Sequence, residues 1–79
     1  MSAKRDHYRY TLWDGHEKVY IGQTTAPESR ENAHRQDKKF DQMRVEGPAV
    51  SRETALEWEQ EAIETYRGGH EGKSPKYNE

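Results

Sequence analysis

Scarcity of aliphatic side chains constrains this chain more than any other feature. Leu, Ile, Val and Phe number eight in 79 residues: Leu12, Val19, Ile21, Phe40, Val45, Val50, Leu56 and Ile63. A fraction this low lies in the range where disorder becomes the default if charge is also unbalanced. Here 13 basic residues face 15 acidic ones, for a formal charge of -2. Five Tyr and two Trp add large apolar bodies with polar tips. The apolar residues are also periodically placed, so one small, thin-cored domain over 1–79 is expected, with 1–6 loose. A dimer or a bound partner would help such a core.

Alternation marks the first element. Tyr8, Tyr10 and Leu12 fall on one side of a strand over His7–Trp13, with Arg9, Thr11 and Trp13 on the other. Asp14-Gly15-His16-Glu17 supplies a turn, and Lys18-Val19-Tyr20-Ile21-Gly22 returns as the second strand of a hairpin. Pro27 and Glu28 open a helix expected to reach Gln36. Ala33 is the only apolar residue between Glu28 and Gln36, so this helix has no apolar stripe; its inward face is expected to carry Arg30 and His34 beside Ala33. A third strand is expected from Phe40 to Glu46, stopped by Gly47-Pro48. Ser51 then caps a helix of about 16 residues ended by Gly68-Gly69. The tail reads as a loop that Pro75 and Tyr77 could tie down.

On the second helix, at about 100° per residue from Ala55, Trp58, Ala62, Tyr66, Ile63 and Leu56 form the apolar stripe. Glu57, Glu61 and Glu64 take the opposite face, but Glu59 falls at about 40°, inside the stripe. A carboxylate there is costly unless paired, hydrogen-bonded or bound to a metal. Pairing with an arginine on a half-buried stripe and service as a metal ligand or catalytic carboxylate are both open. Arg30 and His34 are likewise either solvated helix residues or a phosphate fork and a proton carrier.

Several function classes are excluded by what is missing. With no cysteine there is no disulfide framework and no thiol nucleophile. The histidines lack metal-ligand spacing, and no phosphate-binding glycine loop or nucleophile elbow occurs. No apolar run approaches the roughly 18 residues of a membrane span, and MSAKRDHYRY lacks a signal-peptide segment, so no membrane partner and a cytoplasmic location are expected. Arg30, Arg35, Lys38, Lys39 and Arg44 form a basic cluster interrupted by acids, a weak footprint for a phosphate backbone.

Taken in order, the unusual residues resemble the GIY-YIG nucleases. Tyr20-Ile21-Gly22 matches the second half of the family's name, and Tyr10 in Tyr8-Arg9-Tyr10 matches the first tyrosine. Arg30, ten residues beyond Tyr20, matches the family's arginine, and His34 its His or Tyr one turn later. Ala55, Leu56, Glu59 and Ile63 match the A-L-x-x-E-x-x-x-I helix, while Pro75, Tyr77 and Asn78 match P-x-Y-N. The match spans 8–78. It departs where Tyr8 and Arg9 replace Gly and Ile, and where Gln23 stands in place of a lysine that some members carry.

The resemblance implies an α/β fold, with a central three-stranded antiparallel sheet and flanking helices. It also implies hydrolysis of a DNA phosphodiester with one divalent cation, Mg²⁺ or Mn²⁺. Glu59 would hold that metal, Arg30 the scissile phosphate, and Tyr10 or its rival His34 would act as base. Tyr20 would orient the phosphate or water, and Asn78 would hold the site together. A free tyrosine ionises near pKa 10, so about one in 10³ is ionised at pH 7, and a cation would have to depress Tyr10. With no targeting domain in the chain, specificity would come from a homodimer, a separate targeting protein or substrate shape. The alternative is a catalytically inactive module on the same fold that binds nucleic acid or a partner.

Overall fold

One long strand organises the chain. The computed structural model describes residues 5–78; the expected loose start at 1–4, and Glu79, lie outside the described residues. Arg5 and Asp6 are not loose, because strand β1 runs Arg5–Asp14. It turns back at Gly15, whose φ of +66° suits glycine in a tight hairpin. Strand β2, Glu17–Thr24, then pairs antiparallel with β1 so that Tyr10 faces Gly22 and Leu12 faces Tyr20. A bulge between Leu12 and Trp13 shifts the register, and Trp13 pairs with Lys18.

Helix α1 spans Pro27–Asp37, strand β3 Gln42–Val45, strand β4 Val50–Ser51 and helix α2 Arg52–Gly69. The sheet is antiparallel in the order β2-β1-β3, with β4 a fourth strand where three were expected. The reason lies in the length of β1. Its pairing with β3 covers Tyr10 to Trp13 and leaves residues nearer Arg5 with free backbone groups. After Gly47-Pro48, the chain rejoins β1, pairing Val50 with His7 and Ser51 with Arg5. Proline has no N–H for a ladder, so a strand broken at this dipeptide is the expected result of its chemistry.

Phe40 does not start β3. It is a buried plug ahead of it, completing a cluster with Tyr10, Leu12 and Val19, against which Tyr20, Met43 and Tyr77 pack. Ile21 and Ala55 are fully buried.

The two helices dock differently. Helix α2 lies against β1, β2 and β4 with Ala55 buried and Trp58, Ala62, Ile63 and Tyr66 half-buried. Leu56, at the margin of the stripe, is 43% exposed. Ser51 caps the helix, its hydroxyl accepting the Thr54 N–H at 3.3 Å. Gly68 and Gly69 continue the helix rather than end it. The stop comes at Glu71, in the left-handed region at φ 57°, where Gly72 N–H reaches back to the Arg67 carbonyl at 2.8 Å.

Helix α1 buries one residue, His34. Arg30 and Ala33, expected on its inward face, are both exposed. Among the described residues no helix is long and apolar enough to cross a membrane.

The tail closes the free edge of β2. Pro75 is fully buried, and Tyr77 N–H donates to the Val19 carbonyl at 2.8 Å. Its hydroxyl accepts the Lys39 N–H at 2.9 Å.

Candidate functional site

Gly22 makes the site possible. A Cβ on it would stand 2.7 Å from Tyr20 Cε2 and 2.8 Å from the Tyr10 hydroxyl oxygen. Real Cβ contacts are not that short, so only glycine lets both rings close over the strand. The residue is legible as the glycine that closes Tyr20-Ile21-Gly22, but its place opposite Tyr10 required the register. Sequence reasoning reached Gly22 only as part of that motif and gave it no role at the site.

Three rings meet there. Tyr10 and Tyr20 have centroids 5.9 Å apart, Tyr10 and His34 5.7 Å, and Tyr20 and His34 4.9 Å. Two of them share a buried hydrogen bond of 2.7 Å between the Tyr10 hydroxyl and His34 Nε2, the donor being set by the imidazole tautomer. Tyr10 is 1% exposed and His34 6%; Tyr20 is half-buried.

Burial sets the protonation of this pair. It lowers the His34 pKa from its ordinary value, and the nearby charges of Lys38 and Arg30 lower it further against a smaller opposing pull from Asp37. His34 is therefore a neutral base near neutral pH. Burial also raises the Tyr10 hydroxyl well above its ordinary value, and Tyr20 adds to this. Arg30 does depress Tyr10, as expected of a nearby cation, but burial outweighs it. In this structure Tyr10 keeps its proton.

Arg30 and Glu59 border the cluster, each close enough to bear on the ionisation of Tyr10. Arg30 is exposed and makes no side-chain hydrogen bond or ion pair among the described residues. Glu59 is half-buried, with its carboxyl pKa raised by desolvation. The paired arginine that would make Glu59 ordinary is missing among the described residues. Arg30 and Glu59 are thus each a charged group without a protein partner among the described residues, a guanidinium able to take an anion and a partly desolvated carboxylate able to take a cation.

No group of three or more His, Asp or Glu side chains gathers as a metal cluster among the described residues. A lone carboxylate still fits Mg²⁺, which keeps several waters and is bound through one or two carboxylates plus substrate phosphates.

Asn78 braces the site from below. Its Oδ1 accepts the Ile21 N–H at 2.8 Å and its Nδ2 donates to the Ile21 carbonyl at 2.9 Å, so one amide satisfies both backbone groups between Tyr20 and Gly22. Lys38, another residue of this region, places its ammonium 5.4 Å from the Tyr20 ring centroid and 5.9 Å from that of Tyr77. The rest of the expected basic cluster is dispersed. Arg35 pairs with Glu31 at 2.8 Å and lies over the Phe40 ring, while Arg44 lies over Trp13.

No protein-family model, curated protein or solved structure matches this chain.

Proposed function

We propose that the chain is a metal-dependent DNA endonuclease of the GIY-YIG kind, working in the cytoplasm. The observation that carries this reading is the Tyr10–His34 hydrogen bond beside the Tyr10 and Tyr20 rings that close over Gly22, with Arg30 and Glu59 within electrostatic reach of Tyr10. Order of motifs along the chain gave the resemblance; the meeting of Tyr10, Tyr20 and His34 in space supports it.

Arg30 holds the scissile phosphate through charge-assisted hydrogen bonds and stabilises the charge that develops on its oxygens. Tyr20 orients the attacking water. As the water oxygen bonds to phosphorus, its proton passes to the Tyr10 oxygen while the Tyr10 hydroxyl proton moves to His34 Nε2. The phosphorus–oxygen bond opposite breaks, and its electron pair leaves with the departing alkoxide. This relay needs no tyrosinate. Tyr10 and His34 act as one base, and the cations beside His34 that lower its pKa also help it release the proton afterwards. Glu59 would hold a Mg²⁺ or Mn²⁺ ion, which would supply positive charge to offset the negative charge developing on the phosphate and the leaving oxygen. Asn78 acts as a positioning residue through Ile21. A formal charge of -2 gives weak hold on a polyanion, so a homodimer or a separate targeting protein supplies site choice and a second cut.

One observation favours a second reading, a nucleic-acid-binding or partner-binding module without catalysis: Tyr10 is buried and keeps its proton. A single experiment divides the two. Supercoiled plasmid and a branched duplex are incubated with wild type and Glu59→Gln, in Mg²⁺, in Mn²⁺ and in chelator. Nuclease action requires cleavage that needs both the metal and Glu59. Cleavage by Glu59→Gln equal to wild type removes the metal role, and none by folded wild type favours the binding module.

A further inference from the structure

A second feature lies on the face of the sheet away from Tyr10. Alternation along β1 sends Arg9 and Trp13 to the side opposite Tyr10 and Leu12, and there they meet α2. Between β1, the start of β2 and the second half of α2 runs an open groove of about 1060 Å³. Its walls carry three aromatic rings, Trp13, Trp58 and Tyr66. Cations stand among them. The Arg9 guanidinium carbon lies 5.9 Å from the Trp58 ring centroid and Lys18 Nζ 5.4 Å from that of Trp13; Arg44, outside the groove's lining, lies 4.8 Å from the same Trp13 ring.

One atom in this groove lacks a partner. Arg9 Nε is buried and makes no hydrogen bond among the described residues. A buried, charged donor left unpaired is costly, and the part of the Arg9 guanidinium that lines the groove is where an anionic oxygen would offset that charge. Trp13 has its polar end settled, its indole N–H donating to the Thr11 hydroxyl at 2.9 Å, while the Lys18 and Arg44 cations lie near its ring.

We infer that this groove binds single-stranded nucleic acid, its bases against the Trp13 and Trp58 rings and the stacked pair of Tyr66 and His70, whose ring centroids are 3.6 Å apart, and a phosphate on Arg9. Aromatic platforms interleaved with cations are the arrangement by which unpaired bases and their backbone are held together. An acidic peptide brings the charge but few planar faces, whereas a single strand brings both at each nucleotide. Duplex DNA has its base faces already stacked. Glu17 and Glu46, exposed at the rim, repel the denser charge of a duplex and keep the affinity moderate. The site does not rest on the nuclease reading, and it uses none of that reading's residues.

The chain's two tryptophans both line the groove, so fluorescence excited selectively at tryptophan reports on it. The experiment titrates the full chain, in chelator to prevent cleavage, with oligothymidylate, oligouridylate, the matching duplex, inorganic phosphate and an acidic peptide. Saturable quenching by the single strands, weakened by salt, is expected, and the tighter of the two identifies DNA or RNA as the source. Duplex, phosphate and peptide should quench far less. Trp58→Leu and Arg9→Gln should each weaken binding about tenfold, with Arg9→Lys intermediate. Far-UV circular dichroism tests that the variants are folded, and Arg9→Lys serves if Arg9→Gln is not. Absence of quenching by either oligonucleotide, equal quenching by duplex or peptide, or wild-type affinity in the folded variants overturns the inference. Because none of these readings involves cleavage, loss of the nuclease proposal would leave them unchanged, and the converse holds.

Discussion

The two helices hold to the same sheet by different physics. Helix α2 docks through area: a buried Ala55 and a stripe of half-buried Trp58, Ala62, Ile63 and Tyr66. Helix α1 docks through one polar group, His34, bonded to Tyr10 at 2.7 Å. Apolar burial is indifferent to pH and tolerant of small shifts. A buried polar pair is neither: it is worth little net when satisfied and costly when half of it is lost. The contrast teaches where chemistry can be housed. Proton-carrying groups sit on the helix that has almost nothing else to hold it, so fold and site share one hydrogen bond.

Substitutions can break this contrast in order of size. The largest loss is expected on the apolar side. Ile21, fully buried, should cost about 2–5 kcal/mol as Ile21→Ala in chemical denaturation, with little dependence on pH. Gly22→Ala comes next, at about 1–3 kcal/mol, because the new methyl must displace Tyr20 or Tyr10. Its sharper signature is local: the Tyr10–His34 bond should lengthen, visible in the imidazole resonances of His34.

The polar side is tested by His34→Ala, which leaves the Tyr10 hydroxyl buried without its partner, at about 1–3 kcal/mol. Its pH dependence separates it from the others. Because His34 is lowered in the folded state, the unfolded chain takes up the proton first as pH falls. The stability held by neutral His34 is full above about pH 6.5 and is lost as pH falls from there through the folded value. Glu59 acts in the opposite sense, since acid relieves its desolvated carboxylate. Measured by denaturant midpoints in the Glu59→Gln background, His34→Ala should flatten the remaining slope between pH 5 and 7 attributable to His34. An unchanged slope would separate the helix contact from the titration.

Legibility in the sequence follows the same division. The hairpin, α2 and the Ser51 cap were readable because alternation, helical spacing and a capping hydroxyl are local signals. Glu59 stood out because a carboxylate in an apolar stripe is conspicuous. What could not be read depends on pairing across the chain. β4 exists only because β1 outruns β3. The inward face of α1 had no apolar pattern to mark it, and so Ala33 and Arg30 were expected inside where His34 alone is buried. Gly68-Gly69 looked like a stop, but glycine in a last helical turn costs only propensity, and the reversal falls at Glu71 and Gly72. The upward shift of Tyr10 likewise required knowing how deeply its ring is buried.

The most direct test of the central claim is the pH dependence of metal-dependent plasmid nicking by wild type and His34→Gln. Glutamine keeps a hydrogen-bond partner for Tyr10 but cannot take its proton. The expected result is a wild-type rate that falls as pH drops through the lowered His34 value, and a variant that is slower by about 10²–10⁴ and has lost that inflection. Superimposable profiles for the two proteins, or no metal-dependent nicking by folded wild type, would contradict it.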